Sequence, residues 1–118
     1  MTKGADAAPM TRGDICLVAV PGDYGKPRPA VVVQTDLLNA THASLIVCLL
    51  TSRLMNAPAF RLDVDATTST GLQARSQIMV DKVATVRRDR VRERIGALDD
   101  GTRLRLDRAL TLVLGLAG

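Results

Sequence analysis

At 118 residues, with a formal net charge of +4, 47% hydrophobic and 24% charged side chains, the chain has the size and composition of one globular domain with a modest core. One Tyr, one Phe and no Trp argue against modules that bind nucleic acid by stacking bases on several exposed rings. The longest apolar runs, Ile15–Val20 and Leu45–Leu50, are too short to span a bilayer, and the polar stretch Met1–Arg12 does not read as a signal peptide, so a soluble cytoplasmic protein is expected.

Residues 1–11 have little to bury and are expected to form a flexible leader, with residues 12–118 as a single domain. Asp14–Val20 is apolar and breaks at Pro21-Gly22-Asp23, which predicts a first strand. The loop Gly22–Pro29 leads into a second strand, Ala30–Thr35. Residues Leu37–Ala43 are expected to turn the chain into a third strand, Ser44–Leu50. Thr51–Pro58 is polar and irregular, Phe60–Val64 alternates as a fourth strand, and Asp65–Gly71 is a turn. Ser76–Val80 is the fifth strand, with Ala84–Val86 as a continuation. Arg87–Arg94 has helix-forming composition and predicts a short helix ending before Gly96. Leu106, Ala109, Leu110, Val113 and Leu116 recur at helical spacing, with Asp100 or Thr102 as cap and Gly115 near the end. The expected fold is mainly β, with five or six short strands in a small barrel and a C-terminal helix.

The charge is unevenly placed. Residues 1–81 hold seven cations and seven acids, whereas Lys82–Arg108 holds nine cations and five acids. Thirteen of the sixteen cations are Arg, whose planar fork suits phosphate and carboxylate. A polyanionic partner fits this balance, as does a solvated face in which Arg88 and Arg92 neighbour Asp89 and Glu93. Cys16 and Cys48 lie inside the apolar runs with no metal-binding spacing, and read as buried reduced thiols. His42 is the sole histidine, which excludes a two-histidine acid–base mechanism within one chain, and the scattered acids form no two-metal pattern. No metal and no cofactor are expected.

The most informative segment is Gly25-Lys26-Pro27-Arg28-Pro29. Two prolines stiffen the backbone about Arg28 and aim its guanidinium. Such a cation stabilises charge developing on a phosphorane, although a Pro-Arg-Pro segment leading into a strand also serves purely structural ends. Thr51-Ser52-Arg53 follows the third strand, where hydroxyls can bond a phosphate oxygen or simply cap a turn.

Taken in order, Arg12-Gly13-Asp14-Ile15, Gly25–Gln34, Leu50-Thr51-Ser52, Gly71-Leu72, Ser76, Asp81–Val86, Ile95-Gly96 and the final amphipathic helix resemble the MazF/PemK family of toxin endoribonucleases. The resemblance covers roughly residues 12–116. It implies an SH3-like barrel of the CcdB/MazF/PemK type, homodimeric, that cuts single-stranded RNA, often mRNA, without metal. The implied reaction is 2′-hydroxyl attack leaving a 2′,3′-cyclic phosphate and a 5′-hydroxyl. It further implies an acidic MazE-like antitoxin as partner.

Carried over by residue, Arg28 and Thr51 stand at the family's catalytic arginine and threonine. Tyr24 and Lys26 would line the substrate loop, with Ser52 beside them at the strand end. Thr35, Asp81 and Lys82 stand where relatives touch bases. Some members use an acid near the position of Ser76; its absence here leaves the general base unassigned. Two alternatives remain at this level: a CcdB-like gyrase poison, and a non-catalytic SH3-like nucleic-acid-binding module.

Overall fold

The computed structural model describes residues 9–22 and 26–116. Most of the expected leader, residues 1–8, lies outside the described residues, as does Tyr24. The elements in chain order are strands β1 (Asp14–Ala19) and β2 (Pro27–Val32), the short helix α1 (Asp36–Asn39), strands β3 (Ser44–Thr51), β4 (Arg61–Val64), β5 (Ser76–Arg87) and β6 (Val91–Ala97), and helix α2 (Asp100–Val113). A single 3-10 turn, Arg88–Arg90, joins β5 to β6. The six strands make one antiparallel sheet in the order β4-β5-β3-β2-β1-β6.

Two apolar clusters lie on opposite faces of the sheet. Ile15, Val31, Cys48, Leu50, Ile78 and Val80 pack against Leu106, Ala109 and Leu110 of α2. On the other face Cys16, Val18, Ala30, Val32, Leu45, Val47 and Val86 pack together, with Val91 alongside. Among the described residues no helix covers this second cluster. Residues from five strands meet in it, so the sheet must curl strongly to enclose it. Register shifts supply the bend: three residues on β5 between the Cys48↔Val83 and Leu50↔Ile78 pairs, and two smaller ones between β1 and β6.

The barrel expectation holds only loosely, because β4 and β6 at the ends of the sheet do not pair. The turn after β4 closes the gap instead, where the Ala97 N–H donates to Ser69 O at 2.9 Å. Backbones approach so closely there that only glycine fits. A Cβ on Gly71, which has φ +71°, would strike the Ile95 carbonyl, and one on Gly96 would strike Thr70. Thr70 stiffens this turn, its hydroxyl donating to Asp65 O at 2.8 Å and accepting the Thr67 N–H at 3.0 Å.

Three expectations need correction. Arg87–Arg94 is not a helix: β5 continues to Arg87, and Val91 begins β6, which pairs with β1. Helix propensity among Arg, Glu and Val differs by tenths of a kcal/mol, roughly, and the ladder to β1 overrides it. The alternating charges suit an edge strand, where they discourage pairing with other chains. Residues 37–43 are not wholly a turn either, since Thr35 accepts the Leu37 N–H at 3.3 Å and starts α1. The C-terminal helix is capped by Asp99, whose Oδ1 accepts the Thr102 N–H at 2.7 Å, rather than by Asp100 or Thr102. Cys16 and Cys48 are buried free thiols, as expected.

Candidate active site

Pro27 and Pro29 pair with β1 on one side, but the β2–β3 ladder begins only at Ala30↔Leu49. Neither proline has an N–H to offer β3, so the two strands part at this point. The register Val32↔Val47, Val31↔Cys48, Ala30↔Leu49, extended by two residues past its last pair, would bring Arg28 level with Thr51. Arg28 and Thr51 both border the gap left by the prolines.

That gap opens into a cleft of about 630 Å³. Arg28, Thr51, Ser52 and Arg53 line one part of it, and Gly71, Gln73 and Ser76 another. Leu17, Leu50 and Ile95 give it an apolar floor. The Thr51 hydroxyl accepts the Arg53 N–H at 3.1 Å, which leaves its own proton to be donated. A guanidinium, two hydroxyls and a second arginine around one concavity suit an anionic ligand with a hydrogen-bonding edge, such as a phosphodiester.

Other residues singled out in the sequence fall elsewhere within the chain. Lys26 is exposed and next to Pro27, outside the cleft lining. Thr35 lies beyond the opposite end of β2 and caps α1. Asp81 and Lys82 are exposed in the shifted stretch of β5, ion-paired to one another at 3.3 Å. The structure thus brings together Arg28, Thr51 and Ser52, and not Thr35, Asp81 or Lys82.

Sequence reasoning missed Gln77. It sits opposite Thr51 on the far side of β3, and its side chain bonds Met55 and Asp63. The signal was an amide at the head of the apolar run Ile78-Met79-Val80. The Asp63 carboxyl is held below its usual range, first by the Gln77 amide and then by Arg75 at 2.8 Å. Among the described residues no three His, Cys, Asp or Glu side chains gather as a metal site, and no helix is long and apolar enough to cross a membrane.

Comparison with known proteins decides the family. The model of the PemK-like, MazF-like toxins of type II toxin–antitoxin systems matches residues 11–114. The chain belongs to this family. It is 44% identical over 110 residues to a probable endoribonuclease MazF of Mycolicibacterium smegmatis, which covers 92% of this chain and all of the relative. It is 33% identical over 116 residues to endoribonuclease MazF9 of Mycobacterium tuberculosis, covering 91% and 98%. The MazE–MazF structure from Deinococcus radiodurans superposes with a TM-score of 0.76 at 19% identity, covering 92% of this chain and 98% of that one. The cleft at Arg28 and Thr51 thus belongs to a MazF-like toxin fold.

Proposed function

We propose that this chain is the toxin of a type II toxin–antitoxin pair, an endoribonuclease that cuts single-stranded RNA, mRNA above all, at short sequences and so stops translation and growth. The observation that carries the reading is that Arg28 and Thr51 line one cleft, in a chain of the MazF-like family.

The reaction is a transesterification within the RNA. A ribose 2′-oxygen gives up its proton and forms a bond to the adjacent phosphorus. The bond from phosphorus to the 5′-oxygen breaks, and that oxygen takes a proton. The products are a 2′,3′-cyclic phosphate and a 5′-hydroxyl, with no metal or other cofactor in the balance. Arg28 stabilises the extra charge on the non-bridging oxygens as the phosphorane forms, and Thr51 donates its hydroxyl proton to one of them. Ser52 and Lys26 hold neighbouring phosphates, and Tyr24 completes the substrate loop. The unit that acts is residues 12–118 as a homodimer in the cytoplasm. RNA running out of the cleft across the second copy brings Thr35, Asp81 and Lys82 to its bases. An acidic MazE-like antitoxin competes for the same basic surface.

The test is incubation of the pure protein with a long RNA in EDTA, mapping every cut end. Discrete cuts with cyclic phosphate and 5′-hydroxyl termini are expected. Arg28→Ala should lower kcat by on the order of a hundred- to a thousandfold while the circular dichroism spectrum stays unchanged. Intact RNA from the unsubstituted protein would overturn the reading and point to a toxin that acts by binding protein.

A further inference from the structure

The segment between β3 and β4 has little of its own to hold it. Residues 52–56 are exposed; within the segment the Ala57 N–H donates to Met55 O at 3.2 Å, and the Phe60 and Arg61 N–H groups donate to Ala57 O at its far end. At the near end Thr51 holds the Arg53 N–H. Its middle is tied to the sheet by a side chain from β5. Gln77 is only 6% exposed. Its Oε1 accepts the Met55 N–H at 3.0 Å, and its Nε2 donates to Met55 O at 3.0 Å and to Asp63 Oδ1 at 2.9 Å. The amide treats Met55 as a neighbouring strand would, one bond in each direction, and uses its second N–H on a carboxylate that Arg75 already holds.

Glutamine alone meets these demands. Glutamate at this position has no N–H for Met55 O and sets a second negative charge beside Asp63. Asparagine is one methylene short. Methionine fills the space and makes none of the bonds. Gln77 is also the partner of Thr51 in the β3–β5 register, so the clamp stands on the strand pair that forms the cleft wall. It holds a rim on which Leu54 and Met55 are each about half exposed, beside Arg53 in the cleft lining. Apolar side chains have a stable exposed arrangement only when the backbone beneath them is held, and here a buried amide ties that backbone to β5.

We propose that Gln77 is a positioning residue that sets the base preference of cleavage, by holding Arg53, Leu54 and Met55 in one geometry against the nucleotides beside the scissile phosphate. This rests on the endoribonuclease reading above. In an unclamped loop the same side chains meet every base alike, and discrimination falls.

The experiment compares the full-length protein with Gln77→Met, Gln77→Glu and Asp63→Ala. Cut sites are mapped on a long RNA. Then kcat/KM is measured on two oligonucleotides, one carrying the favoured sequence and one with a single base replaced. The ratio of the two should fall about tenfold in both Gln77 variants, the equivalent of one hydrogen bond's worth of discrimination, and by less in Asp63→Ala. Hydrogen exchange at the Met55 amide should quicken in the Gln77 variants while β3 and β5 amides stay protected. A purely structural amide would lower the unfolding temperature and leave the ratio untouched. Should both Gln77 variants fail to fold, Asp63→Ala, at an exposed position, carries the test. Unaltered ratios in variants that still cut RNA overturn this inference alone. An unsubstituted protein that leaves RNA whole overturns the cleavage reading together with it.

Discussion

Cys16 and Cys48 show how far a single side chain is set by its surroundings. Burial pushes both thiols up to about 11, with Asp14 adding to the effect at Cys16. An unfolded thiol titrates near pH 8.5, roughly. The folded state thus holds its proton where the unfolded state would lose it. The resulting stability is fully present below the unfolded value and is lost as pH rises through the folded one. Denaturant midpoints measured from pH 7 to 11 should fall above about pH 8.5, and Cys16→Ala with Cys48→Ala should flatten that fall. Iodoacetamide should label the native protein far more slowly than the unfolded chain at pH 8. Leu106, 1% exposed where α2 meets the sheet, is the apolar counterpart. Leu106→Ala should cost about 2–5 kcal/mol in denaturant unfolding.

Among the elements, α2 depends on its cap and the sheet on its closure. The Thr102 N–H holds the Asp99 carboxyl below its usual range. The cap's contribution is therefore present above the ordinary carboxylate value and is lost as pH falls through the lower folded one. Asp99→Asn should keep the cap and lose that part of the acid dependence, while Asp99→Ala should lower the unfolding midpoint at neutral pH. Closure rests on Gly71 and Gly96. Gly96→Ala forces the turn at Thr70 outward and should destabilise by roughly 1–3 kcal/mol, read as a shift in thermal midpoint. Five strands and α2 are legible in the sequence because alternation and helical spacing are local. The sixth is not: Val91–Ala97 becomes a strand because β1 has a free edge to offer it. That fact lies about 75 residues earlier in the chain, too far for any window of local pattern to reach.

At the scale of the molecule, the excess of cations after residue 81 falls on the second half of β5, the turn, β6 and α2. Some of it is neutralised: Arg87 pairs with Asp89 at 2.6 Å and Arg94 with Asp14 at 3.1 Å. The remainder should make RNA binding by the non-cleaving Arg28→Ala protein weaken steeply and linearly in a plot of log affinity against log salt. A flat plot would mean that these cations do not meet phosphate. The cleft is likewise a product of the whole. It is bounded by β1, β2, the end of β3, the turn that closes the sheet, the start of β5 and β6, segments spread from Leu17 to Ile95.

What the amino acids determine by themselves is local: which residues are apolar on alternate positions, where proline and glycine break the pattern, that both cysteines are buried, and the ordered motifs that mark the MazF-like family. Arg28 and Thr51 stand out at that level as separate candidates. Their meeting in one cleft was decided by the tertiary structure, where two prolines interrupt a strand ladder. The same is true of the Gln77 clamp, of β6 and of closure by a loop. Register and closure depend on contacts between distant segments, whose free energy exists only once the segments have met. Side-chain pattern can specify a face, but the partner for that face is chosen by the packed whole.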